Sequence, residues 1–481
     1  MAFKIEWLCV QFSSVPNSVN HSLGDAIKRD KSQAKGKSIS STFPTTLTTS
    51  IFNTAQILNM RFGLLLGLAA PFVAAKISYD GWKAFSITTN SSNENMTALL
   101  QDLNYVTLSC ESHRDTLEIA VPPTKVAGFE ALDMNTTVTS HDLGAEIAEE
   151  GKFEHYYHTP KGRGFKPTLP NKSYFNSYHS FDQHTQFLSD LQASFKKNSE
   201  IFVAGTSVEK RDIPGIHLWG NDGKGRNPAI IWHGNVHARE WISGMTVEYL
   251  AYKIIQGYQK KDSLIQATLN NFDFYILPIV NPDGFVYTTT DDRLWRKNRQ
   301  KSGHKTCIGT DINRNWPFKW DIPGGSSTDP CNETFRGRKP GDTPENKALV
   351  NHIKAISKTS GIRSYVDWHS YSQLILLPYG YDCSGNATNI AEQMKLAEGV
   401  SDAIWEVNGL EFNYGPTCQT IYQTSGSSLD WVFEVAKAEL SWGIELRPNM
   451  YRGNGFVVPP KQIIESGEEI WAGMRYFFKN L

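Results

Sequence analysis

The sequence predicts an α/β fold in which a mainly parallel or mixed sheet is covered by helices on both faces. Short, uninterrupted apolar runs recur at 229–232, 274–280, 374–377 and 444–446, the texture of strands buried on both sides. Helical patterns lie between them: Ile242, Met245, Tyr249 and Tyr252 step by three and four along one face. Strands that alternate with helices are the third observation, and they point to a layered α/β arrangement.

Taken from the N-terminus, residues 1–59 carry Ser, Asn and Thr clusters with no sustained period, and read as an extension upstream of a true start at Met60. Residues 60–75 have the order of a secretory signal peptide. Arg61 follows the methionine, an apolar stretch runs over 63–70, and small residues end at Ala74 and Ala75. The stretch is too short to span a bilayer. The alternative is a buried strand or helix piece of an N-terminal domain. Sequons at Asn90, Asn95, Asn135, Asn171, Asn332 and Asn386 agree with export, each being weak alone.

Residues 76–172 read as a small α/β unit with candidate strands at 106–109 and 117–121, ending in a linker. The Gly- and Lys-rich run 159–167 is cleavable by composition. Residues 173–481 form the large domain, closed by a docking helix that follows Pro459-Pro460 and carries Ile463, Ile464, Ile470 and Met474. The pair Lys210-Arg211 inside that domain reads as a strand-end surface pair, not a processing site.

A chain of 481 residues has room for two or three folding units and a large core. Its 48 Lys+Arg balance 49 Asp+Glu, so charge argues for neither nucleic acid nor a membrane surface, and favours a small or peptidic substrate. Six cysteines do not make a disulfide scaffold at this length, although a bridge or two fits an exported protein.

The chemistry concentrates first at His237 and Glu240, which follow the strand 229–232 and precede a helix. An imidazole and a carboxylate three residues apart at a strand end can converge on one metal ion. The pair is short and common, so alone it decides little. A third ligand must come from elsewhere. His369, at the end of another predicted strand, is one candidate. His233 is the other, and it fits better as a residue packed beneath the turn.

Seven runs in order carry a family resemblance: His237-Ala238-Arg239-Glu240-Trp241, Asn281-Pro282-Asp283-Gly284, Arg293-Leu294-Trp295-Arg296-Lys297, Asp311-Ile312-Asn313-Arg314-Asn315-Trp316, His369-Ser370-Tyr371-Ser372-Gln373, Ile421-Tyr422-Gln423-Thr424-Ser425-Gly426 and Glu445-Leu446-Arg447. The set resembles the funnel-type zinc metallocarboxypeptidases of the carboxypeptidase A/B family, over essentially 171–481 and more loosely before it. The resemblance implies a three-layer α/β/α catalytic domain with a mixed, largely parallel eight-stranded sheet. A small α+β open-sandwich, ferredoxin-like pro-domain would precede it.

It also implies roles. His237, Glu240 and His369 would hold one zinc ion per chain with a position left open, and Asp311 would take the outer ring proton of His237. Asn313 and Arg314 would grip a substrate's terminal carboxylate, which suits a planar guanidinium. Tyr422 would close over that terminus, while Arg239 and Tyr371 would belong to the substrate cleft. Arg296 would stabilise the developing oxyanion, and Glu445 would be general base toward the attacking water and then acid toward the leaving amine. Glu445 separates an enzyme from a relic, because some members have lost that carboxylate.

Leu429 stands where basic-specific relatives carry an aspartate, so hydrophobic C-terminal residues are expected; a one-residue misalignment onto Asp430 would reverse that. Cys307 and Cys331 match a family disulfide, with Cys383 and Cys418 as a second bridge. Cys110 and Cys9 are left over. The run 448–456 is longer than in animal digestive relatives. The expectation is thus a secreted, monomeric zymogen that acts on peptide and protein C-termini after an activating protease cuts near 161–172. The rivals are a non-catalytic zinc- or peptide-binding homologue of the cell wall or matrix, and an intracellular peptidase without zymogen control.

Overall fold

A computed structural model describes residues 76–88, 99–108, 116–156, 167–449 and 455–481. The expected leader and signal segment, almost all of the cleavable run, the sequons at Asn90 and Asn95, and Cys9 and Cys110 lie outside the described residues.

The N-terminal part builds a four-stranded antiparallel sheet from β1 (Lys83–Thr88), β2 (Val106–Thr107), β3 (Thr116–Val121) and β4 (Thr136–Ser140), in the order β2-β3-β1-β4. Side chains alternate across a strand, so the two faces bury different things. Phe85, Ile87, Ile119 and Val121 pack under the helix Pro123–Glu130, through Val126 and Phe129. On the opposite face Ala84, Ala120 and Leu108 meet Leu294 and Val457 of the large domain. The second helix, Leu143–Glu150, starts where the Asp142 side chain accepts from the Ala145 N–H, satisfying a donor its first turn leaves open. The described N-terminal part thus combines a four-stranded antiparallel sheet with two helices. The strand expected at 106–109 is shorter, Val106–Thr107.

The large sheet has eight strands: β5 (Ser199–Thr206), β6 (Asp212–Leu218), β7 (Ala229–Gly234), β8 (Asp273–Leu277), β9 (Ile362–Ser372), β10 (Leu374–Leu377), β11 (Asn413–Pro416) and β12 (Leu440–Asn449). Their order is β11-β10-β12-β9-β7-β8-β6-β5. The central run β12-β9-β7-β8 is parallel, and antiparallel pairs flank it. The apolar run 229–232 shows why such strands are continuous in sequence. Ile230 and Trp232 enter the core beneath the helices Trp241–Gln259, Ile390–Asn408 and Gln462–Lys479, whereas Ala229 and Ile231 enter a second core with Leu349 and Ile353 of the helix Pro344–Ser357. Both faces are covered, so neither side of the strand can be polar.

One strand is shorter than its apolar run. β8 stops at Leu277 because Pro278 has no N–H to continue the ladder, and the rest of the run, through Val280, is buried loop. Lys210-Arg211 lies in the turn between β5 and β6, where Arg211 pairs with Glu209 and with Asp283 at 2.7 Å.

Topology places the site. From β7 the chain passes to β8 on one side, then returns with β9 on the other. The carboxyl ends of β7 and β9 therefore flank the point where strand order reverses, the usual crevice for a ligand in an open α/β sheet. Among the described residues no helix is long and apolar enough to cross a membrane.

Candidate active site

Beyond β7 the chain turns through Asn235, which adopts a left-handed φ of 54°. Its side-chain amide donates to the carbonyls of His237 (2.8 Å) and Ala238 (3.2 Å), and its N–H donates to the Ser243 hydroxyl (2.7 Å). These bonds fix a tight loop that ends at Glu240, the residue that opens the helix Trp241–Gln259. His237 and Glu240 are thereby presented side by side, Nδ1 to Oε1 at 2.7 Å. His369 arrives from β9, 132 residues downstream. Its Nδ1 lies 3.2 Å from the His237 Nδ1 and 3.2 Å from the second Glu240 oxygen. All three side chains are buried, and one ligand atom of each lies within 4.8 Å of the others.

His233 does not join them. It is buried below the turn with Nδ1 3.2 Å from the Tyr365 hydroxyl, and burial pushes its imidazole down to about 4. Of the two candidates for a third donor, His369 is the one that converges.

The donor set suits zinc, since two neutral imidazoles and a carboxylate are the ligands a catalytic zinc site uses. Burial opposes ionisation of Glu240, yet the His237 and His369 rings hold its carboxyl well below the usual range. Behind His237, the Nε2 faces Asp311 Oδ1 at 3.3 Å, while the other Asp311 oxygen accepts from Arg296 at 2.8 and 3.2 Å. Burial works against that charge too, and Arg296 with His237 overcomes it, so Asp311 is ionised.

Glu445 lies on β12 directly opposite His369 in the sheet register. Burial pushes its carboxyl up to about 8, with nearby Glu240 adding to the rise and His369 and Arg296 offsetting part of it. Asp311 also starts the short turn Ile312–Arg314, accepting from the Asn313 N–H at 2.9 Å. Arg314 donates to the Asn313 carbonyl at 3.0 Å and lies 5.9 Å from the Tyr422 ring, while its Nε is buried without a partner among the described residues. A guanidinium so held is ready for an anion.

His237, Glu240, His369, Arg296, Asn313, Arg314, Tyr371, Tyr422, Leu429 and Glu445 all line one cavity. Arg239 does not. Its guanidinium lies 4.1 Å from the Phe456 ring centroid and donates to the Leu294 carbonyl at 3.2 Å, so Phe456 occupies the wall in its place. Leu429 projects into the cavity from the helix Ser428–Glu434, together with Leu376 and Gly443. Asp430 points elsewhere, to the backbone N–H groups of Gly380 and Tyr381 and the Ser427 hydroxyl. Disulfides join Cys307 to Cys331 and Cys383 to Cys418, with Cα separations of 5.0 and 4.8 Å.

Among the wall residues the sequence did not assign to the site are Phe456, Leu108 and Asp367. Phe456 lies just beyond β12 in the chain, and Leu108 comes from the small domain. Asp367 stands two residues before His369 on β9, so strand alternation alone puts both on one face.

A buried two-histidine, one-glutamate cluster at the reversal point of an open α/β sheet, with an arginine pair beside it, defines the metallopeptidase class. The chain belongs to the zinc carboxypeptidase family, which its residues 184–473 match. It is 43% identical over 428 residues to a metallocarboxypeptidase A-like protein of Trichophyton verrucosum, covering 87% of this chain and 97% of that one. To zinc carboxypeptidase A 1 of Anopheles gambiae it is 31% identical over 410 residues, 84% and 91% of the two chains. Crystalline thrombin activatable fibrinolysis inhibitor shares the fold with a TM-score of 0.73 at 24% identity, covering 82% of this chain and 98% of that one.

Proposed function

We propose that the chain is a secreted zinc exopeptidase that removes hydrophobic C-terminal residues, and that it is made as a zymogen. The observation that carries this is the single cavity shared by the His237–Glu240–His369 cluster, Glu445, Arg314 and Leu429. A zinc ion held by the three ligands supplies Lewis acidity toward a carbonyl and toward water.

The chain's own residues do the rest. Arg314 and Asn313 receive the terminal carboxylate of a peptide, and Tyr422 stands over the Arg314 side of that grip. This anchoring fixes which peptide bond reaches Glu445 and Arg296, and so makes the cleavage exo. Glu445 takes a proton from the attacking water and returns it to the departing amine, the task of a base with a carboxyl raised by burial. Arg296, tethered by Asp311, faces the oxygen on which charge develops. The side chain of the departing residue lies against Leu429. An unpaired Lys or Arg charge there costs several kcal/mol, of the order found for buried polar groups without partners (~2–7 kcal/mol).

Leu108 of the small domain reaches the same cavity wall, which supports a shielding role for that domain. The test expresses the chain from Met60, treats it with a trypsin-like protease, and compares peptides ending in Phe, Leu and Arg with and without a chelator. Chelator-sensitive release of Phe and Leu, appearing after cleavage, is the expected result. Preference for Arg overturns the specificity, and turnover that ignores the chelator overturns the metal.

A further inference from the structure

We propose that Asp367 is a positioning residue, setting the ring tautomer and orientation of His369 as a metal ligand. The inference rests on the zinc reading above and adds to it a residue that the family motifs leave out.

Asp367 and His369 share one face of β9, and the Asp367 Oδ2 lies 3.3 Å from the His369 Nε2. The same oxygen accepts from the Ser428 hydroxyl at 2.5 Å, which pins the carboxylate in place. Its partner oxygen is buried with no other partner among the described residues, so the group keeps accepting capacity. A second neighbour stands at the same distance on the other side. The Asn313 side-chain nitrogen lies 3.3 Å from the His369 Nε2, and its amide is oriented by the Ser428 N–H donating to the Asn313 oxygen at 2.8 Å.

These two neighbours favour opposite tautomers. The amide nitrogen can only donate, which asks for a bare Nε2 and leaves the proton on Nδ1, the atom that faces His237 and Glu240. The carboxylate can only accept, which asks for a proton on Nε2 and leaves the Nδ1 lone pair aimed into the cluster. The carboxylate approaches Nε2 as an ion pair at 3.3 Å rather than as a closed hydrogen bond, and a negative charge at that distance favours a proton on Nε2 more strongly than a neutral amide opposes it. Without Asp367 only the donor remains, and the ring turns its ligating nitrogen into an N–H.

His237 also has a carboxylate at its outer nitrogen, Asp311, there in hydrogen-bonding geometry. The two carboxylates are not interchangeable. Asp311 is tied to Arg296, whereas Asp367 is tied through Ser428 to the helix that carries Leu429. One carboxylate thus joins a metal ligand to the pocket for the departing side chain.

The experiment measures zinc affinity of the full chain by competition with a chromophoric chelator, for wild type, Asp367→Ala and Asp367→Asn, beside the metal-free unfolding midpoint and the visible spectrum of the cobalt form. Loss of an outer partner of a ligating histidine typically weakens binding about 10–100-fold. Asp367→Ala is expected in that range with an altered cobalt spectrum, and Asp367→Asn, which keeps an acceptor oxygen and the volume, between it and wild type. A merely structural role lowers the metal-free midpoint and leaves zinc affinity alone, and that result overturns the proposal. If the alanine variant does not fold, the asparagine variant decides: zinc bound as tightly as by wild type overturns it. A wild-type chain that binds no zinc overturns the metal reading itself, a different outcome from equal affinity across the series.

Discussion

Glu445 and Leu429 face one cavity from opposite sides of the chemistry, and each makes its own prediction. Glu445→Gln keeps the shape and removes the base, so kcat toward a Phe-terminated peptide is expected to fall about 10²–10⁴-fold. Its KM should stay near wild type, because Arg314 and Asn313 still hold the terminus; a large rise in KM with kcat intact would count against the assignment. Leu429→Asp places a carboxylate where the departing side chain lies, and kcat/KM measured on matched peptides should invert toward Arg. These residues were legible in the sequence because they sit in runs of neighbours with a shared order. Arg239 was legible as a cleft residue too, but its guanidinium is taken up by the Phe456 ring, a tertiary contact that no local pattern encodes. By the same limit, spacing alone left the third metal donor between His233 and His369, and it was the family resemblance that selected His369, which β9 then brings beside β7.

At the level of elements, the apolar runs marked β7, β8, β10 and part of β12, as expected of strands covered on both faces, but not central β9, whose buried Ser364, Asp367 and His369 interrupt any such run. What they could not give was register. Glu445 meets His369 only because β12 and β9 pair in parallel at that position, a choice made by packing across the sheet. The helix Ser428–Glu434 offers a pH test. Burial pushes Asp430 up to about 6, against a usual value near 4, although three donors act against the rise. The folded state therefore binds the proton that the unfolded chain has released between about pH 4 and 6. Stability is greatest below that window and declines as pH rises through it, by roughly 2–3 kcal/mol. Unfolding midpoints taken from pH 4 to 7 should show this decline in wild type and a flatter profile in Asp430→Asn. An unchanged slope in the variant would remove Asp430 as the cause.

Across the whole molecule, the small and large domains are joined by more than an apolar face. Arg293 makes two bonds to Glu150, at 2.6 and 2.9 Å, with both side chains about 1% exposed, and also donates to the carbonyls of Arg239 and Phe456. Truncating one partner strands a buried charge, so Glu150→Ala is expected to cost about 3–5 kcal/mol in urea unfolding. A loss below 1 kcal/mol would mean that water reaches the pair. Residues 153–156 are also fastened to the large domain. Phe153 packs on Trp241, the Glu154 N–H donates to the Ser177 hydroxyl, and the Tyr156 hydroxyl donates to Asp190 at 2.8 Å. A cut near 161–172 would leave Phe153, Glu154 and Tyr156 on the N-terminal fragment and their partners Trp241, Ser177 and Asp190 on the other. For a protein processed as proposed, scission and departure would be separate events, and the nicked form would be a two-piece particle whose lifetime is set by a dissociation rate. Gel filtration directly after proteolysis should find both fragments in one peak, with peptidase activity rising on the slower clock of their separation.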